Sequence, residues 1–375
     1  MHDTSIQQNH YQSSTKIEEL ESVRGLAALL VVFFHIPKWN PLLDIGIINN
    51  SYLMVELFFV LSGFVIYKAY AKKIVSKKDL IRFQFLRFGR LYPVHLLFLI
   101  AYIFIEIAKY LVQKKFGISS PNSQPFIENN LMALFQQIFL IHAIGPTGNV
   151  LTFNGPAWSI SVEFFTYLLF GVSILFVRKN KDIVFFLLAL ISLITLATQS
   201  TFGFTDLIRC FAGFFIGCLT ASITNKVSII LPSYISLLTF LIILVFLQIK
   251  VPHKYDLMIY FLSSALIVSL VLSKKGIVKK ILNLKILTWL GSISYAVYMS
   301  HSAIIWIINQ VIRIILKKPE LIIGGQSIPQ LSAINTFIVW ALIVALVLLV
   351  SKLVFDFIEK PMRKKSRQFA FNKLS

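Results

Sequence analysis

An all-α integral membrane protein is the fold class this sequence predicts, and three observations predict it. Of 375 residues, 57% are hydrophobic and 14% charged, against roughly 45–50% and about 25% in soluble domains. Mean hydropathy is +0.78. Apolar runs of spanning length recur along the chain, and basic residues collect between them. Glycine and proline are scattered, with no repeat or low-complexity block. One membrane domain is therefore expected over 17–365, between a polar tail at 1–16 and a basic tail at 366–375.

The formal charge is +20, from 36 Lys and Arg against 16 acids. In a soluble chain that excess would point to nucleic acid. Here it falls in the loops between apolar runs, where orientation in a bilayer explains it, and no basic soluble domain exists to lie along a duplex. Residues 1–21 are polar and show no cleavage-site pattern, so they do not read as a signal peptide. Cys210 and Cys218 lie eight apart on one expected helix, about 12 Å by rise. That is too far for a disulfide, so both are expected to pack in the interior.

In order, the apolar runs fall at about 23–37, 51–70, 92–112, 157–177, 183–199, 206–223, 229–249, 256–272, 286–315 and 332–356. A span needs roughly 17–25 residues, which predicts about ten transmembrane helices. The loop between the second and third runs carries Lys72, Lys73, Lys77, Lys78, Arg82, Arg87 and Arg90, and is placed in the cytoplasm by its charge. RKNK at 178–181, KKGIVKK at 274–280 and KPMRKKSR at 360–367 fall on the same side if 131–144 does not cross. That segment is short and holds Gln136, Gln137 and His142, so a re-entrant or interfacial helix near 131–144 is expected, with both termini cytoplasmic. The short stretch after the last run predicts no appended soluble domain.

Polar groups inside these runs are the candidates for chemistry, because a charge in hydrocarbon is costly unless it serves a site. In the first run, Arg24 and His35 are eleven residues apart, nearly three whole helical turns and about 16 Å. They share a face, one at the cytoplasmic boundary and the other near mid-membrane. ELFFVLSGF at 56–64 places Glu56 in the second span, with His35 as a plausible partner across the first outer loop, and a Ser62-Gly63 pair that allows close approach. RFGRLYPVH at 87–95 sets Arg87 and Arg90 at i and i+3, suited to the oxygens of a phosphate.

NGPAWSISVEFF at 154–165 leads into a span with Trp158 at the interface and Ser159 and Glu163 on one face. SISYAVYMSH at 292–301 puts Ser294, Tyr298 and His301 on one stripe. Each motif has a structural alternative: lipid anchoring for the arginines, an aromatic belt for Trp158, a hydroxyl bonded back to its own helix for Ser62, and interhelical hydrogen bonding for the Ser294 stripe. No histidine or cysteine spacing marks a metal site.

Taken in order, Arg24 and His35, ELFFVLSGF, RFGRLYP, WSISVEF, SYAVYMSH and Glu359-Lys360-Pro361 resemble the membrane acyltransferase family 3, which includes bacterial O-antigen and other surface-glycan O-acetylases. The resemblance implies an O-acyltransferase of the bacterial inner membrane. Its donor would be cytoplasmic acetyl-CoA or another acyl-CoA, with no bound cofactor, and its acceptor a hydroxyl of an extracytoplasmic glycan or lipid-linked glycan. It also implies functional roles for Arg24, His35, Arg87 and Arg90, while Glu56 stands where many relatives have Asp.

The mechanism expected from these residues has Arg24, Arg87 and Arg90 at the coenzyme phosphates. His35 serves as general base, a task suited to its ordinary pKa of about 6.5. Glu56 or Glu163 would orient it, and Trp158, Ser161, Tyr298 and His301 would meet the acceptor. Direct transfer and an acyl-enzyme on Ser62 or Ser161 both stay open. A glycan flippase or exporter is the alternative, and it predicts substrate movement without coenzyme. A structural or sensory protein predicts that Arg87→Lys is silent.

Overall fold

The computed structural model describes residues 17–118, 120–146, 150–249, 252–274 and 276–373. Its main helices are α1 (Glu18–His35), α2 (Met54–Tyr70), α3 (Lys77–Phe116), the short α4 (Leu131–Ile138), α5 (Trp158–Val177) and α6 (Lys181–Ala197). They continue as α7 (Thr205–Lys226), α8 (Tyr234–Gln248), α9 (Met258–Leu272), α10 (Lys285–Gln310), α11 (Ala333–Val354) and α12 (Lys360–Lys373). A hairpin of β1 (Glu320–Ile323) and β2 (Gln326–Pro329) interrupts the expected all-α fold. It is antiparallel, with Glu320 opposite Pro329, and turns at Gly324 and Gly325, whose φ angles of 59° and 79° suit a two-residue hairpin loop.

Among the described residues, seven helical stretches are long and apolar enough to cross a membrane, which makes this a multi-pass membrane protein. The seven differ from the ten apolar runs for three reasons. Gly155–Ala197 counts as one stretch but contains α5 and α6, which meet at Arg178 with φ 29°. Helix α1 carries Glu18, Glu19, Glu21 and Arg24 in its first two turns, and α8 has only 15 residues.

Loop contacts define two ends of the bundle. At the basic end, Arg178 donates to the Val75 carbonyl at 2.6 Å, Leu231 bridges to Ser273, and Asn283 reaches Glu19. At the hairpin end, Asn50 donates to the Leu247 carbonyl, Trp39 to Asn309, and Asn122 and Ser327 bond reciprocally.

Small residues set the tightest contacts. A Cβ at Gly63 would run into the Phe214 carbonyl and one at Gly217 into that of Val60, so α2 and α7 touch backbone to backbone. Helix α3 begins with a capping box of Ser76 and Asp79, and ends at Gly117 in the left-handed conformation. Its 40 residues span about 60 Å. Pro93 leaves the Gly89 carbonyl without an intrahelical donor partway along.

The 131–144 segment is a short helix, α4, followed by a loop that returns into the protein, with Leu140, His142 and Ala143 buried. Gln137 is spent on the fold: it donates to the Thr152 carbonyl, and the His95 ring nitrogen Nε2 meets its backbone carbonyl at 2.9 Å. Cys210 and Cys218 are free and buried. The expected basic tail from 366 is helical through Lys373 and packed along α3.

Candidate active site

A cavity opens among α1, α2, α3, α5 and α10, holding about 710 Å³ of space between atoms up to its mouth. On α2 its wall runs from Val55 to Ile66, eleven steps or about 16 Å. Arg24 and Arg90 line it together with Ser62, Glu163, Tyr167 and Tyr298. Arg24 is held at 3.1 Å by Glu21, one turn earlier on α1. No described residue makes a hydrogen bond or close ion pair with Arg90, although the charges of Glu21, Glu163 and Glu359 act on it.

Arg87 departs from the expected shared mouth. It is buried, its guanidinium lies 5.2 Å over the Tyr70 ring and 5.9 Å from that of Phe83, and Nη2 donates to the Tyr70 hydroxyl. Three residues on a helix leave two side chains about 60° apart. That angle is enough for the aromatic pair to claim Arg87 while Arg90 faces the cavity.

Glu56 also departs from its expected place. Rather than meeting His35, its carboxylate pairs with Arg209 of α7, 2.6 Å from Nη2 and 2.7 Å from Nε. Arg209 holds Asp206 at 2.9 Å as well and lies 4.6 Å over the Trp158 ring. The cause is the parallel contact of α2 and α7 at Gly63 and Gly217. Two turns toward the hairpin end, that contact sets Glu56 against Arg209. Sequence reasoning misses Arg209, although the Asp206–Arg209 pair inside the apolar run at 206–223 is the same signal that marks Arg24.

His35 is the last residue of α1 and is exposed at the hairpin end rather than buried at mid-membrane. Its Nδ1 lies 2.9 Å from the Val31 carbonyl. A carbonyl only accepts, so the proton sits on Nδ1 and Nε2 carries the lone pair. The ring stands 4.7 Å from that of buried His301, which in turn is 5.9 Å from the ring of Tyr298. His35 therefore stands beside the hairpin end of the cavity, one histidine removed from its wall. Neither Glu56 nor Glu163 bonds to it among the described residues; a backbone carbonyl does the orienting.

Glu163 is occupied elsewhere. Ser62 Oγ and the Tyr167 hydroxyl each donate to its Oε1 at 2.5 Å, an interhelical cluster on the cavity wall. Ser62 thus bonds across to α5 rather than back along its own helix. Ser159 donates to the Tyr298 hydroxyl at 3.0 Å. Ser161 is fully buried and donates to the Leu140 carbonyl of the returning loop, away from the cavity.

A helical bundle with a cation-lined cavity and a tautomer-fixed histidine beside its far end has the parts of a membrane group-transfer enzyme. Residues 17–355 match the family model described as an acyltransferase domain, and the chain belongs to that family. It is therefore an acyltransferase.

The chain is 34% identical over 157 residues to protein 2 in the picA locus of Rhizobium radiobacter, covering 38% of this chain and 75% of that one. It is 30% identical over 173 residues to the acyltransferase MdmB of Streptomyces mycarofaciens, covering 44% of this chain and 41% of that one. It is 23% identical over 380 residues to the peptidoglycan O-acetyltransferase OatA of Listeria monocytogenes, covering 93% of this chain and 56% of that one. The chain thus spans about half the length of the last two. No solved structure matches it.

Proposed function

We propose that the enzyme moves an acyl group, acetyl in the first instance, from acyl-CoA to a hydroxyl of an extracytoplasmic glycan or lipid-linked glycan. In this reading it lies in the bacterial cytoplasmic membrane with ten crossings and both termini cytoplasmic. The alternation of α1, α2, α3 and α5–α11 supports that topology, as does the gathering of Lys and Arg at one end. The Streptomyces relative, an acyltransferase, supports an acyl group, and the Listeria relative, a peptidoglycan O-acetyltransferase, supports an oxygen acceptor.

One observation carries the reading: a single cavity joins Arg24 and Arg90 at one end to Tyr298 beside the His301–His35 pair at the other. The arginines suit the coenzyme diphosphate, and the length of about 16 Å along α2 suits an extended arm ending in a thioester. His35 Nε2 accepts the proton of the acceptor hydroxyl as its oxygen attacks the thioester carbonyl. The carbon–sulfur bond then breaks, and the coenzyme thiolate takes that proton from the imidazolium and leaves as the free thiol.

Purified protein given labelled acetyl-CoA and candidate glycans should transfer label only when both are present. Mass spectrometry of the host's surface polysaccharide with and without the gene should show loss of one acyl class. Export of glycan with no coenzyme use would overturn the reading.

A further inference from the structure

Helix α12 lies outside the residues matched to the family, yet it packs on the helix that carries Arg90. A π turn at Phe355–Glu359 links α11 to α12 and leaves Glu359 only 2% exposed. Arg363 donates to Glu359 Oε1 at 3.3 Å, while Glu359 Oε2 is buried with no partner among the described residues. Three residues on, Ser366 presses on Gly89 so closely that a Cβ there would collide with it, and Phe369 meets the Phe85 ring at 5.2 Å. These contacts clamp α12 along the first half of α3, directly beside Arg87 and Arg90.

The charges of Arg87, Arg90 and Arg367 all act on Arg363, and those of Arg24, Arg90 and Arg363 act on Glu359. Five arginines from three helices thus share one field, with Glu21, Glu163 and Glu359 as the carboxylates among them. Such a surplus is stabilised by an arriving anion, and planar guanidiniums favour phosphate oxygens. Arg24 and Arg90 lie inside the cavity; Arg363 and Arg367 do not line it and sit one helix farther out.

We propose that Arg363 and Arg367 form the subsite for a phosphate monoester at the nucleotide end of the donor, the ribose 3′-phosphate of coenzyme A, outside the arginines that take its diphosphate. This rests on the acyl-CoA reading above. The inference adds a second anion site and assigns it to the C-terminal helix.

The test uses the full chain in nanodiscs of zwitterionic phosphatidylcholine, with binding of acetyl-CoA and of 3′-dephospho-acetyl-CoA measured side by side. The wild type should prefer acetyl-CoA by about tenfold, the worth of one charge-assisted bond to phosphate. Arg363→Gln with Arg367→Gln should bring acetyl-CoA down to the level of the dephospho analogue and leave the analogue unchanged. Gly89→Val, which displaces Ser366, should do the same, and Arg363→Lys with Arg367→Lys should keep part of the preference. A wild type that binds both equally, or a Gln double variant that keeps the preference, overturns the subsite and points to arginines that serve anionic lipid. A wild type that binds neither compound and transfers no acetyl overturns the donor reading itself.

Discussion

The two ends of the cavity hold the same kinds of charge in opposite balance. At the basic end five arginines, Arg24, Arg87, Arg90, Arg363 and Arg367, share the charges of Glu21, Glu163 and Glu359, and Arg90 has no close ion-pair partner among the described residues. At the hairpin end Arg209 is held by Glu56 and Asp206 and covered by Trp158, Arg313 is held by Glu320, and Asp256 is bound by Tyr52 and His253. A surplus of cations is built to receive an anion. Where carboxylates outnumber the arginine they hold, an anion is not invited. In the proposed reading, the difference puts the phosphate-bearing donor at the basic end and leaves the hairpin end for an uncharged hydroxyl and the proposed base, His35.

Removing that base is the largest way to break the comparison. His35→Ala should lower transfer by about a thousandfold, within the range for loss of a positioned general base. Binding of acetyl-CoA should stay within about twofold of wild type, because no arginine has been touched. Turnover and equilibrium binding on the same preparation check both halves. Near-normal transfer would remove His35 from the chemistry, and lost binding would place the donor at the wrong end.

Next in size is the closed ion pair. Arg209→Met strands the Glu56 carboxylate, which is 4% exposed, and should cost about 3 kcal/mol of stability. Adding Glu56→Gln should recover much of that loss. A thermal or denaturant shift in detergent reads both, and a stable Arg209→Met protein with lost activity would make Arg209 a functional group rather than a packing one. At the other end, Arg90→Ala should weaken acetyl-CoA binding by about tenfold to thirtyfold while leaving stability nearly unchanged, since no described partner is left unpaired. Titration of the donor at saturating acceptor measures it.

Much of this contrast was legible in the sequence, and the illegible part has a physical cause. Apolar runs and basic loops mark the helices and their basic end, because hydropathy and charge are local properties. The hairpin at 320–329 was equally local, a Gly-Gly turn between the short segments ELII and QSIP. Pairing across helices is not local. Glu56 meets Arg209 because α2 and α7 touch at Gly63 and Gly217, and no spacing within either run reports which helices become neighbours. The 18 residues between His35 and Met54 likewise leave the relative depth of α1 and α2 free. His35 therefore reads as a mid-membrane group from α1 alone and lies at the helix end in the fold.

The smallest predicted effect decides between two mechanisms. Ser62 lies on the cavity wall with its hydroxyl on Glu163, a carboxylate able to take its proton, so an acyl-enzyme on Ser62 has its nucleophile and base in contact. Yet Glu163 Oε1 also accepts from Tyr167, and the three groups join α2 to α5 whether or not acyl passes through them. If transfer is direct, Ser62→Ala removes one hydrogen bond and leaves Glu163 with Tyr167, costing about 1 kcal/mol and less than about tenfold in rate. If Ser62 carries the acyl group, the same change should abolish transfer, and wild-type protein incubated with acetyl-CoA alone should gain an acetyl mass on the peptide bearing Ser62. In the proposed mechanism His35 at the hairpin end, with its proton on Nδ1 and its lone pair on Nε2, supplies the base that direct attack requires. The small effect is accordingly the expected one.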